Sequence, residues 1–274
     1  MLGAETEDPR KVTNQEGQRS RLFMAYWEKE IRSLMGKAIH RYGLIQNGDR
    51  ILVGVSGGKD SLTMLTLLHE RAKRVPIRYE LIPVHIDLGF HPGRLEGLKN
   101  FFEEKSLTYH IEKTDIGRLA HSPENRENPC FLCAWERRKR IFHIAHRLHC
   151  HKIALGHHKD DIIETFLLNI LYSAEISTML PVQTLFKGKM TIIRPMVLLE
   201  EKQIERFSQE KGLPVSPSGC PSSGKTKRRE VKDLIQSLEK TNHRIKGNIF
   251  HSLSNVRLDY TWVRWGKPPR QSSY

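Results

Sequence analysis

Nothing in this chain of 274 residues approaches the roughly 18 to 20 consecutive apolar residues that a membrane-spanning helix requires. The longest apolar stretches, around Ile51–Val55 and Phe166–Tyr172, are short or broken by polar residues. The first twenty residues are polar and mixed in charge, unlike a secretory leader, so the expectation is a cytoplasmic protein without membrane contact. Cysteine is scarce. Four in the whole chain are too few to staple a fold of this length, and in a reducing compartment such residues more often bind metal or do chemistry. Acidic residues also fall short, 31 against 45 basic ones, for a formal net charge of +14. That deficit points to an anionic partner, with RNA the leading candidate for a soluble protein. No internal repeat is visible.

What is present is alternation. Residues 1–22 read as a flexible N-terminal segment rich in charge, Gly, Gln and Asn. From 23 to 213 the pattern predicts an α/β domain: a helix over Phe23–His40, then strands at Arg50–Val55, Tyr79–Ile86, Thr108–Glu112, Lys152–Leu155 and Met190–Ile193. Helices are predicted between and after them, at Ser61–Arg71, Arg94–Lys105, Ala134–His149, Asp161–Tyr172 and Glu200–Lys211. Continuous apolar strands separated by amphipathic helices imply a parallel twisted sheet covered on both faces, which binds ligands beyond the carboxyl ends of its strands. Residues 214–274 read as a basic, loop-rich extension with a helical stretch.

The run Ile51–Ser61 is strand, glycine turn and helix start. Gly57 and Gly58 let backbone approach an anion, and the helix N-terminus offers free N–H groups. Ser56 and Ser61 add hydroxyls, Lys59 adds a charge, and Asp60 suggests a shared metal ion. The common ATPase loop fails here at both ends, because Val53 occupies its first glycine position and Asp60 follows Lys59. Ser56-Gly57-Gly58-Lys59-Asp60-Ser61 instead resembles the loop of the PP-loop ATP pyrophosphatases, whose fold is the adenine nucleotide alpha hydrolase-like sheet. Val84–Asp87 and Gly156–Asp161 end two further strands. Asp160 and Asp161 open a helix whose buried stripe is expected to include Ile162, Ile163, Phe166, Leu167, Ile170 and Leu171. Helix capping and Mg²⁺ ligation both account for those aspartates.

Pro129-Cys130-Phe131-Leu132-Cys133 is a close thiol pair placed just before a helix, and Cys220 lies far downstream. A pair plus one distant thiol suits a metal centre, and zinc, an iron–sulfur cluster and a redox disulfide all use such a pair. Three thiolates on a four-iron cluster leave one iron open for an exogenous sulfide. Among the histidines near this helix, His143 and His146 fall opposite its predicted buried stripe of Ile141, Ile144, Ala145 and Leu148. Cys150 reads as a small buried residue.

Together the nucleotide loop, the Cys-x-x-Cys before a basic helix, Ala154–Asp161, Ile192–Pro195 and Cys220 resemble the TtcA-like tRNA 2-thiocytidine synthetases over about residues 25–255. The resemblance implies a tRNA sulfurtransferase that adenylates the C2 oxygen of cytidine 32 in the anticodon loop and then inserts sulfur. It implies ATP and Mg²⁺ at Val55, Ser56, Gly57, Gly58, Lys59, Asp60, Ser61, His85, Asp87, Gly156, His157, Asp160 and Asp161, with Asp161 the candidate Mg²⁺ ligand. It implies a [4Fe-4S] cluster on Cys130, Cys133 and Cys220, which join Lys59 and Asp60 as the catalytic set. The implied partners are tRNA and a sulfur donor such as a cysteine desulfurase, with self-association into a homodimer left open. Basic runs at Arg137, Arg138, Lys139 and Arg140 and at Lys225, Lys227, Arg228 and Arg229 flank the cysteines and are candidate RNA contacts, with Trp262 and Trp265 as stacking candidates. The rival readings are a zinc-bearing pyrophosphatase acting on a small molecule and a non-catalytic RNA-binding protein.

Overall fold

A computed structural model of the chain describes residues 26–90, 95–216, 219–222 and 226–261. Six strands form one sheet: β1 (Arg50–Gly54), β2 (Glu80–Asp87), β3 (His110–Lys113), β4 (Lys152–Ala154), β5 (Val182–Leu185) and β6 (Met190–Ile193), in the order β3-β2-β1-β4-β6-β5. All pairings are parallel except that of β5 with β6, which is antiparallel. The expected parallel sheet is therefore present with an unforeseen antiparallel strand on one edge. The strand Val-Gln-Thr-Leu is short and only half-buried, so it lacks the apolar run that marks a central parallel strand.

Side-chain alternation along β1 divides the core into two layers. Ile51, Val53 and Val55 face one cluster, built with Ile31 and Met35 from α1 (26–41), Leu62 and Leu65 from α2 (Lys59–Ala72), Phe102 from α3 (Leu95–Glu104) and Phe207 from α7 (Glu201–Glu210). Leu52 faces the other, with Ile82, Val84, Ile153, Ile116 of α4 (Ile116–Ala120) and Ile144 and Ala145 of α5 (Pro129–Arg147). Helices thus cover both faces. The C-terminal helices α8 (Lys227–Thr241) and α9 (Ile245–Ser252) pack on α6 (Lys159–Ser173), where Val231 and Ile235 bury against Ile163.

Two helices differ from expectation. α5 begins at Pro129, five residues early, because Asn128 caps it by accepting from the N–H groups of Cys130 and Phe131 and Pro129 supplies a preset first-turn φ. Both thiols of the pair therefore sit inside the first helical turns. In α6 the buried stripe stops short: Ile162 and Ile163 are buried, whereas Ile170 and Leu171 are 40% and 53% exposed. No described helix is long and apolar enough to cross a membrane.

Leu52 is fully buried in the central strand. Leu52→Ala is expected to lower unfolding free energy by about 2–5 kcal/mol, read as a lower urea midpoint at unchanged slope.

Candidate active site

Strand order reverses between β1 and β4, which makes the crevice at their carboxyl ends the topological switch point of the sheet. The turn after β1 carries Ser56–Ser61 and the turn after β4 carries Gly156–Asp161. These turns touch. A Cβ on Gly156 would lie 3.2 Å from both the Asp60 carbonyl carbon and the Ser61 nitrogen, so any side chain there would press the two backbones a few tenths of an ångström apart.

The phosphate loop is closed by its own hydroxyls. Ser61 Oγ donates to Gly58 O (3.0 Å), accepts from Ser56 N (3.1 Å) and lies 3.2 Å from Ser56 Oγ. Gly57 takes φ +85°, a left-handed conformation that suits glycine. Val55 belongs to the same strap: its N–H donates to Val84 O (2.9 Å), and its carbonyl accepts from His85 Nδ1 (2.8 Å). The Asp87 carboxylate accepts from Gly89 N at 3.0 Å and shapes the turn after β2.

Around this loop lies a dense net of carboxylates and cations. Lys59 Nζ reaches Glu201 Oε1 (3.1 Å) and Asp60 Oδ1 (3.5 Å). Burial opposes its charge, but those carboxylates raise its pKa and keep it a cation. Glu201 also receives Lys232 Nζ at 2.6 Å, and its N–H donates to Asp160 Oδ2 at 2.8 Å. Asp160 thereby caps α7, and its other oxygen meets Lys246 of α9 at 2.8 Å. Burial works against the Asp160 charge, yet His158, Lys246 and the Glu201 N–H together hold its pKa well below the ordinary range. Asp161 accepts from His158 N (3.0 Å) and Arg228 Nη2 (2.6 Å), while Arg228 Nε donates to Glu164 (2.8 Å). His158 lies within 4 Å of Asp60, Asp160 and Asp161. Burial disfavours its cation, and the three acids overcome burial and raise its pKa. Beside it, burial pushes His157 down to about 4, where its Nδ1 accepts from Arg194 Nε at 3.2 Å.

Asp60 departs from this saturation. Its Oδ1 is buried and accepts no hydrogen bond among the described residues. Burial, with Asp161 and Glu201 nearby, pushes its pKa up against the pull of Lys59 and His158. A buried carboxylate oxygen with longer ion pairs but no hydrogen bond, beside a second carboxylate, is a donor set that Mg²⁺, held by one or two carboxylates plus phosphates, would complete.

Cys130 and Cys133 lie in the first turns of α5. Burial raises the Cys133 pKa, Arg137 opposes it, and charge on Cys220 or Cys130 adds to it. Cys220 Sγ lies 3.9 Å from His121 Nε2, which also meets Ser222 Oγ at 2.9 Å, while His121 Nδ1 donates to Gly117 O. Among the described residues no three His, Cys, Asp or Glu side chains converge tightly enough for a bare ion. A sulfur-bridged cluster is larger than one ion and asks its thiols to stand farther apart. Cys150 is buried apart from them, its pKa pushed to about 11. Four residues before Cys220, Ser216 N donates to Gly57 O of the phosphate loop at 3.0 Å. Four residues of chain span at most about 14 Å, so covalent reach alone ties Cys220 to the nucleotide site.

The basic candidates divide. Arg137 turns to Cys133, Arg140 pairs with Glu112 (3.4 Å), and Arg138 and Lys139 are exposed. On α8, Lys227 pairs with Glu230, Arg229 with Asp233, and Arg228 serves the nucleotide net. Lys225, Trp262 and Trp265 lie outside the described residues, as do the chain before residue 26 and residues 91–94. Sequence reasoning passed over Glu201, Lys232, Lys246, Glu164 and His121. Only Glu201 carries a signal, being the first residue of a helix beyond a strand end.

The PP-loop domain family matches residues 26–216. The tRNA-cytidine(32) 2-sulfurtransferase of Citrifermentans bemidjiense is 40% identical over 230 residues, covering 82% of this chain and 90% of its own. The protein of the same name from Geobacter sulfurreducens is 38% identical over 237 residues, covering 85% and 91%. The U34-tRNA thiolase NcsA from Methanococcus maripaludis, solved with its [4Fe-4S] cluster, superposes with a TM-score of 0.70 at 25% identity, covering 84% of this chain and 78% of that one.

Two outcomes follow from the geometry. Gly156→Ala should weaken Mg-ATP binding by on the order of tenfold, measured by calorimetry, because backbone atoms must move apart. Arg228→Ala should cost about 1–3 kcal/mol of stability, between an exposed and a buried ion pair, seen as a lower denaturation midpoint.

Proposed function

This chain belongs to the tRNA-cytidine(32) 2-sulfurtransferase family, and on that premise we propose that it thiolates tRNA, adenylating the C2 oxygen of cytidine 32 and replacing it with sulfur. The observation that carries the reading is the bond from Ser216 to Gly57 four residues before Cys220. It supports an adenylation site and a sulfur-transfer site that one nucleotide can reach.

The N–H groups around Gly57–Ser61 and the Lys59 cation hold the β- and γ-phosphates. Asp60 and Asp161 would hold Mg²⁺, whose charge would offset the carboxylates that otherwise repel ATP. Val55, His85 and Asp87 border the adenosine side, and Gly156 and His157 close the crevice from β4. The C2 oxygen attacks the α-phosphorus, the bond to the β-phosphate oxygen breaks, and pyrophosphate leaves on the loop. Sulfide then attacks C2, the C2–O bond breaks, and AMP departs with the former base oxygen. Sulfur remains at the sulfide level, so the exchange needs no oxidant or reductant.

Cys130, Cys133 and Cys220 would hold a [4Fe-4S] cluster, which when bound supplies an iron without a protein ligand to present that sulfide. Arg137, beside Cys133, favours its thiolate. Sulfur enters from a donor such as a cysteine desulfurase, whose persulfide sulfur takes two electrons from a thiol reductant to arrive as sulfide, and the enzyme works in the cytoplasm on tRNA.

Anaerobically purified protein should contain iron and acid-labile sulfide in equal amounts. Cys130→Ala, Cys133→Ala and Cys220→Ala should each lose them while retaining ATP binding. Wild-type protein that carries zinc or no metal under these conditions would overturn the cluster assignment.

A further inference from the structure

One face of α5 has no cover among the described residues. Phe131 is 63% exposed and Trp135 is 55% exposed. With Arg138 and Phe142 they follow i, i+4, i+7, i+11 spacing, which places all four on one helical stripe. An exposed apolar patch of large aromatics is informative in a way that a single exposed leucine is not.

The stripe has two ends of different character. At its inner end Phe142 meets Phe186 edge-on, with centroids 5.2 Å apart and planes at 89°. Phe186 and the following Lys187 both hold left-handed φ, +52° and +56°, a conformation that costs about 1–3 kcal/mol when non-glycine residues adopt it. That strained turn presents a half-exposed Phe186 as a continuation of the stripe. At its outer end Phe131 sits between Cys130 and Cys133. Burial, with Arg138 nearby, lowers the Arg194 pKa, so mid-stripe the helix passes the partner of His157. From the thiols the stripe leads towards the amino ends of the strands, where Phe186 precedes β6.

Charge identifies the occupant. Arg138 and Lys139 form no ion pair among the described residues, and Lys187 lies on the same strained turn. Aromatic faces interleaved with free cations match single-stranded nucleic acid, whose bases stack while its phosphates pair with the cations. We propose that Phe131, Trp135 and Phe186 form a stacking platform for the unpaired loop bases that flank the target nucleotide. The platform rests on the thiolation reading, and it assigns a role to the helix face rather than to the thiols.

The test uses the full chain and a fluorescently labelled hairpin RNA with an unpaired loop, beside the same stem closed as a continuous duplex. Phe131→Ala, Trp135→Ala and Phe186→Ala should each weaken hairpin binding roughly 5- to 100-fold, with duplex binding unchanged as the folding control. Their slope of log affinity against log salt should match wild type, whereas Arg138→Ala should reduce it by about 0.7. Trp135→Phe should keep most of the affinity. Aromatic variants that bind the hairpin like wild type would overturn the platform and leave thiolation standing. So would variants that weaken hairpin and duplex alike, or that convert a dimer to monomer in sedimentation at unchanged RNA affinity. Wild-type protein that binds no hairpin would overturn both readings.

Discussion

Negative charge concentrated where an anion must bind is the constraint around which this molecule is organised. Asp60, Asp160, Asp161, Glu164 and Glu201 all lie at the switch point of the sheet. Left alone they would repel one another and any phosphate. They are tolerated because Lys59, Arg228, Lys232 and Lys246 each place a cation on at least one of them. Three of those four cations come from α8 and α9, the helices farthest along the chain. The C-terminal segment is therefore part of the electrostatics of the nucleotide site, although its described residues contribute no strand to the sheet.

That dependence links two chemistries. α8 begins seven residues after Cys220, and its second residue, Arg228, grips Asp161 and Glu164. On the other side Ser216 is bonded to the phosphate loop, and Cys220 lies against His121 of the α4 end. Described residues on either side of the third thiol, Ser216 and Arg228, thus contact the nucleotide-binding core. A rearrangement of Asp161 around a metal ion would be felt by Arg228 first, and through α8 by the segment that carries the thiol.

Local signals made much of this legible from sequence. The β1 run, the glycine turn and the carboxyl-terminal placement of Gly156–Asp161 are patterns of a few residues, and they correspond to the crevice seen here. The misses have physical causes. α5 started early because a cap residue and a proline at N1 were available upstream of the apolar stripe. Ile170 and Leu171 belong to the α6 periodicity yet lie beyond the helices that pack on it, a limit set by tertiary packing. The partners of Lys59 and Cys220 had no sequence signal: Glu201 is 142 positions from Lys59, and His121 is 99 from Cys220. Such pairs are created by strand order alone. The pairing of Arg228 with Asp161 and Glu164 is likewise silent in the sequence, because a basic run does not reveal which members are already paired.

The bond from Ser216 to Gly57 has one more consequence. Most surface connections in a fold of this kind can lengthen at little thermodynamic cost. The link from Ser216 to Cys220 is different, since Ser216 is held to Gly57 and Cys220 meets His121. It acts as a tether: while the Ser216 bond holds, the thiol can stray no more than about 14 Å from Ser216, whatever the packing around it.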